Sequence, residues 1–230
     1  MDTCFDEYYV QWRPDLRQEE IAVITDLGRE FKFLIGDADW IQDSAAYDDY
    51  LGLIDEFLDD PLNAWALNKD WVLDIEPHTL PAWSVAREQM VTTLTRRVEQ
   101  FIDSMNGQGS RALNVIAVLP HFYSPEELTL IADSVDEIIF MGYRDVVSDD
   151  NSNDTVLGLL EPDLDNIGIK PYKIALETLE PGSQLEKITF FEEGLNVLLE
   201  SIEEIKLLSD RDSFNGVVVH DINGFRELNS

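Results

Sequence analysis

Residues 71–77 read Trp71-Val72-Leu73-Asp74-Ile75-Glu76-Pro77. The run is apolar and β-rich, carries acids at two alternate positions, and stops at a proline that cannot donate to a ladder. Successive side chains of a strand point to opposite faces, so Asp74 and Glu76 share a face with Val72 while Leu73 and Ile75 share the other. Unpaired carboxylates do not lie under an apolar helix layer. Leu73 and Ile75 therefore face helices, and Asp74 and Glu76 face the opposite side, near its mouth at the strand's C-terminal end.

The same unit recurs along the chain: an apolar run, a polar cluster at its end, then helical spacing. Further strands are read at residues 8–12, 31–35, 113–119, 137–143, 172–176 and 216–219. Helices are read at 15–30, around the i, i+3, i+4, i+7 stripe Tyr50, Leu51, Ile54, Phe57 and Leu58, at 83–105, at 155–160 and at 190–208. Ser124-Pro125-Glu126-Glu127 reads as a capping box with proline at the first helical position. Strands alternating with helices and apolar on both faces imply a parallel sheet under helices. A dinucleotide-binding sheet would show a glycine-rich phosphate loop after its first strand. Gly36-Asp37-Ala38-Asp39 instead puts two carboxylates there. The expected fold is α/β, a (β/α)8-type TIM barrel of one domain, residues 1–230, with its site at the C-terminal strand ends. Seven strands are counted against the eight of a closed barrel, and the shortfall reads either as a strand that escapes the pattern or as an absent first βα unit.

Composition bounds the partners. The chain has 230 residues, 16 Lys and Arg against 47 Asp and Glu, and a formal charge of −31. Such a field repels nucleic acid and anionic membrane surfaces. No apolar run approaches the ~20 residues of a membrane span. The single cysteine, Cys4, allows no internal disulfide or cysteine-based zinc cluster. The start, MDTCFDEYYV, lacks the regions of a signal peptide; the chain reads as cytoplasmic as it stands, and as exported if its natural start lies upstream.

Strand parity selects the site residues. Glu177 falls inward with Ala175, and Tyr143 and Asp145 are in phase with Met141 and Ile139. Arg144 stands between them, His121 follows the fourth strand, and His220 and Asp221 follow the seventh. Asp37, Asp39 and Trp40 follow the second; the acids equally read as helix caps, and Trp40 as core or as a ring on which a sugar stacks. Asp149 and Asp150 read as solvated loop, and His78 as surface or support. Glu76 and Glu177 each end an apolar strand and point to one side, which marks them as the functional pair.

At Leu73-Asp74-Ile75-Glu76-Pro77 the chain resembles glycoside-hydrolase TIM barrels, and two branches compete. Asp74 and Glu76 match the end of the D-x-x-D-x-D-x-E strand of chitinase-like (family 18) barrels, with Lys69 and Val72 where earlier acids stand. Phe140-Met141-Gly142-Tyr143-Arg144 resembles their Met-x-Tyr-Asp motif, with Arg144 in place of the acid and Asp145 one residue on. The other branch is the retaining clan with one glutamate ending strand four, in an Asn-Glu-Pro motif, and one ending strand seven. Glu76-Pro77 matches the former without its Asn, and Glu177 lies three strands later. The chain is also similar to uncharacterised bacterial barrels with a D-x-E-P strand, a Met-x-Tyr-Arg-Asp strand and a last strand ending in His.

The resemblance implies a carbohydrate ligand and no cofactor. Glu76 is then the general acid. In the two-glutamate scheme Glu177 is the nucleophile if the carboxyl groups lie about 5–5.5 Å apart, whereas about 6.5–9.5 Å leaves room for a water and implies inversion. In the chitinase-like scheme Asp74 orients the substrate's N-acetyl group, Tyr143 donates to it, and Glu177 binds sugar. Two other readings stand beside these: a metal-dependent, sugar-isomerase-type barrel using Glu76, His121, Glu177 and His220 or Asp221 on Mg²⁺ or Mn²⁺, and a barrel that binds sugar without cutting it. A barrel left open would expose two strand edges, which a partner or a second copy would cover.

Overall fold

A computed structural model describes residues 5–107, 113–149, 152–180 and 186–228; Cys4 and Asp150, named above, lie outside them. Seven strands are present, β1 (Glu7–Gln11), β2 (Glu30–Ile35), β3 (Trp71–Leu73), β4 (Val115–Pro120), β5 (Glu137–Met141), β6 (Tyr172–Glu177) and β7 (Phe214–His220). They alternate with α1 (Gln18–Asp26), α2 (Ser44–Asp59), α3 (Trp83–Gly107), α4 (Pro125–Ser134), α5 (Val156–Asn166) and α6 (Gly194–Leu208), and α7 (Ile222–Glu227) follows β7. The strands are parallel, and their order in the sheet is their order in the chain. A doubly wound sheet reverses direction at a switch point; this one never does. Steady one-way winding is that of a (β/α)8-type barrel, one strand short of eight among the described residues.

The chain divides into two compact units, Met1–Ala117 and Val118–Ser230. In the first, Phe33 pairs with Trp71 and Ile35 with Leu73, which fixes the helix-facing side. Trp71 lies 4.7 Å from Phe33, 5.5 Å from Phe101 of α3 and 6.1 Å from Trp12, whose ring is 5.6 Å from Phe57 of α2. Such offset and edge-on aromatic pairs add to the area they bury. In the second unit Ile138, Phe140, Tyr172, Ile174 and Leu176 form the corresponding layer with Leu198 and Ile205 of α6, all nearly inaccessible.

The other face is graded along the strands in both units. At the N-terminal ends sit charged groups: Lys32 lies 3.0 Å from Glu7 and 3.7 Å from Asp70, and Lys173 lies 3.8 Å from Glu137, which also accepts from Asn215 at 2.6 Å. Leu34, Val72 and Ile116 in the first unit, and Ile139 and Ala175 in the second, fill the middle. At the C-terminal end of the second unit Glu177 stands in register with His220.

Boundaries shift in ways local physics explains. The ladder of β3 stops at Leu73, although the Asp74 N–H still donates to Ile35 O at 2.8 Å. α1 is confined to Gln18–Asp26, because Gly28 takes a left-handed φ of 67° just past its end. α3 starts at Trp83 as read, but Ala86 has non-helical angles and kinks its first turns. Among the described residues no helix is long and apolar enough to cross a membrane.

Candidate functional site

In the first unit the polar set at the strand ends is Asp37, Asp39, Asp74 and Glu76. Asp37 caps a 3-10 turn over Ala38–Ile41, its Oδ1 accepting from the Asp39 N–H at 2.8 Å. Asp39 is exposed. Trp40 lies away from any mouth: it is 5% exposed, with its ring 4.6 Å from Tyr50 and 5.3 Å from Tyr47. Its carbonyl accepts from buried Arg97 at 2.9 Å. Of the two readings of Trp40 this is the core one, because α2 presents two tyrosines on its inner stripe and closes over the ring.

Asp74 is half-buried, and its backbone touches that of Gly36 so closely that no side chain fits there. Glu76 is held differently. Its carbonyl accepts from the Thr79 N–H at 3.1 Å and from Thr79 Oγ1 at 2.8 Å, which with Pro77 fixes a 3-10 turn. Its side chain is 36% exposed, with Oε1 3.8 Å from His78 Nε2. Burial pushes the His78 imidazole below the usual range, and the Glu76 carboxylate partly offsets it.

In the second unit the site gathers around Glu177. Its Oε1 accepts from the main-chain N–H groups of Thr178 and Leu179 at 2.7 and 2.8 Å, and its Oε2 lies 2.8 Å from His220 Nδ1. The Tyr143 ring lies nearly parallel to the His220 ring, 6.2 Å between centroids and 16° between planes. Asp221 turns to its own chain, its Oδ1 capping α7 through the N–H groups of Asn223 and Gly224.

Arg144 donates from Nε to Asp154 Oδ1 at 2.6 Å and from Nη1 to the Tyr143 carbonyl at 2.6 Å. Lys187 Nζ reaches the other Asp154 oxygen at 2.5 Å. The Lys187 and Arg144 bonds hold the Asp154 carboxyl down at about 2. Asp145 donates its N–H to the Lys187 carbonyl at 3.1 Å. His121 is half-buried and its imidazole is lowered, first by burial and then by the Arg144 charge. Glu193, before α6, is pushed up by burial, with Asp145 and neighbouring glutamates adding to the effect of desolvation.

The structure thus brings Glu177, His220 and Tyr143 together and ties Arg144 and Asp145 into a neighbouring cluster. Sequence reasoning missed Asp154, Lys187 and Glu193, which sit on connections where no periodicity marks them. Among the described residues no group of three or more His, Cys, Asp or Glu is placed to hold a metal ion.

No protein-family model matches the chain, and no curated protein sequence matches it either. Solved structures are similar at the level of the fold. The Group II chitinase catalytic domain 2 of Ostrinia furnacalis, in complex with (NAG)5, is 13% identical with a TM-score of 0.48, over 74% of this chain and 53% of that one. The class V chitinase of Nicotiana tobaccum is 15% identical with a TM-score of 0.47, over 88% and 74% of the two chains. The tryptophan synthase A-subunit of Pyrococcus furiosus is 12% identical with a TM-score of 0.38, over 93% and 85%. The chain spans little more than half of the first of these. Matches to both chitinases and a tryptophan synthase subunit say nothing about what this chain acts on.

Proposed function

We propose that residues 1–230 form one carbohydrate-acting (β/α) barrel domain with Glu76 as its general acid. The observation that carries the reading is the contrast between the two strand-end glutamates. Glu76 follows the β3 ladder with its backbone pinned by Thr79 and its carboxyl accessible, as a group that protonates a leaving oxygen must be. Glu177 has hydrogen bonds on both oxygens. A nucleophile in a retaining scheme needs an oxygen to give to the sugar, so Glu177 suits ligand binding or the support of a neighbour better. This supports the chitinase-like assignment, with Asp74 orienting an N-acetyl group and Tyr143, in its own unit, offering a ring and a hydroxyl to a sugar.

The test is hydrolysis of p-nitrophenyl glycosides and chitin oligosaccharides. Glu76→Gln keeps the shape and removes the proton; turnover is expected to fall at least about a hundredfold, in the range of general acid catalysis, with circular dichroism unchanged. Turnover within a few-fold of wild type would falsify the role. The engaged state of Glu177 also favours a second reading, binding without cleavage; calorimetric binding of the same oligosaccharides by a wild-type chain that cleaves none of them would select it. The proposal extends to assembly. Among the described residues β1 and β7 each have a single sheet neighbour, and a second copy would cover these edges. Light scattering reporting a dimer supports this, and a monomer counts against it.

A further inference from the structure

β7 does not pair evenly with β6. Tyr172 faces Phe214, but two residues on, Ile174 faces Val217, so one extra residue is absorbed on β7. Gly216 stands in that gap with φ 126°, a backbone that glycine alone adopts without strain. The consequence is a change of face. With even pairing from Tyr172 and Phe214, Val219 would lie opposite Glu177 and His220 would point to the helix side. With the bulge, Glu177 faces His220. Bulges break a ladder and re-aim side chains, and they concentrate near active sites.

The re-aimed histidine is then fixed from two sides. The Thr178 N–H donates to the His220 carbonyl at 2.6 Å, and Thr178 Oγ1 reaches the carbonyls of His220 and Asp221 at 3.0 Å each. Glu177 holds the ring at Nδ1. Its Oε1 accepts two N–H bonds and its Oε2 faces the ring, where a carboxylate oxygen can only accept. An acceptor at Nδ1 requires the proton there, which makes Nε2 the basic nitrogen. The side chain of His220 is 47% exposed while that of Glu177 is 13% exposed: the imidazole meets solvent and the carboxylate stays behind it.

We propose that His220 is the proton-accepting group of the second unit, with Glu177 as its positioning residue and the bulge at Gly216 as the device that aims it. Nε2 takes a proton from a water or from a ligand hydroxyl. That oxygen keeps the electron pair of its broken O–H bond and bonds the carbon that carries the leaving oxygen, whose own bond breaks with its pair, and the imidazolium is stabilised by the Glu177 carboxylate. This deepens the carbohydrate reading by naming a base toward a hydroxyl-bearing ligand, and it rests on that reading only for the identity of the ligand.

The first test needs no ligand. Nitrogen-15 spectra of the full chain report the tautomers of its three histidines, with His220 assigned by the signal lost in His220→Gln. The expected result is Nδ1–H at His220 in the wild type and a shift toward Nε2–H, the form an unbraced imidazole favours in water, in Glu177→Ala. An Nε2–H form in the wild type, or no change in Glu177→Ala, overturns the proposal. The second test uses p-nitrophenyl N-acetylglucosaminide. His220→Gln should lower kcat at least about tenfold, with KM within threefold, and flatten the acid limb of the kcat/KM profile. An acid limb unchanged in His220→Gln also overturns it. If the wild type cleaves none of the substrates, the hydrolase reading is what fails, and the tautomer decides the dyad alone.

Discussion

Gly36→Ala is expected to destabilise the first unit severely. A Cβ at this position would lie 1.9 Å from the Asp74 carbonyl oxygen and 2.5 Å from its carbon. The obstacle is backbone, which cannot rotate away, so the ends of β2 and β3 would have to part. Overpacking costs roughly 1–3 kcal/mol, and more where the neighbour is rigid; the expectation here is about 3 kcal/mol or above. All five tryptophans, at positions 12, 40, 65, 71 and 83, belong to the first unit, so their fluorescence in a urea titration reads that unit by itself. The midpoint should fall sharply, and displacement of the Asp74 carboxyl should reduce any carbohydrate affinity with it. Gly52→Ala in α2 is the control, since nothing lies within 4 Å of its Cβ position. The same change there should stabilise by up to about 1 kcal/mol, the propensity difference between the two residues in a helix. Equal midpoints for the two variants would refute the account.

Asp163→Asn is expected to stabilise the second unit, and to do so only above acid pH. Asp163 lies on the buried stripe of α5 with Val156, Leu160 and Leu164, is 5% exposed, and its Oδ2 has no hydrogen-bond partner. Burial pushes its carboxyl from 3.8 to about 7. A carboxyl raised in the folded state binds its proton there more tightly than in the unfolded chain. Its contribution is therefore neutral below about pH 4, becomes progressively unfavourable as pH rises toward 7, and is constant beyond. A shift of this size corresponds to at most about 4 kcal/mol, of which local relaxation leaves about 2 kcal/mol as the expected gain at pH 8. Asparagine keeps the shape without the charge, and Asp163→Leu, which extends the apolar stripe, should gain at least as much. Chemical denaturation at pH 4, 6 and 8, read by far-ultraviolet circular dichroism, gives the answer. A stability difference between wild type and Asp163→Asn that does not change over that range would sink the assignment.

The fold was largely open to reading because it rests on short-range patterns. Seven apolar runs, each closed by polar residues and followed by helical spacing, mark the seven strands within a few residues. The capping box at Ser124 forms as its residues dictate: Ser124 Oγ accepts from the Glu127 N–H at 3.3 Å, and Glu127 Oε2 accepts from the Ser124 N–H at 2.8 Å. Parity within β6 set Glu177 opposite the helix-facing Leu176, and it stands in register with His220; Asp74 and Glu76 lie beyond the β3 ladder, which ends at Leu73. The site was less open. Trp40 gave no local sign that two tyrosines of α2 would bury it. Asp163 lies beyond the helix read at 155–160, which the structure carries on to Asn166.

Alternation, turn residues and caps determined what each segment of this protein would become and which of its faces would carry polar groups, since those preferences act over three or four residues. The partner of each strand-end side chain was decided by the tertiary structure alone. A single extra residue at Gly216 changes the face on which His220 stands, and the register in which β7 meets β6 is set by contacts between strands about forty residues apart. No local period records that register, because it becomes defined only when the two strands pair.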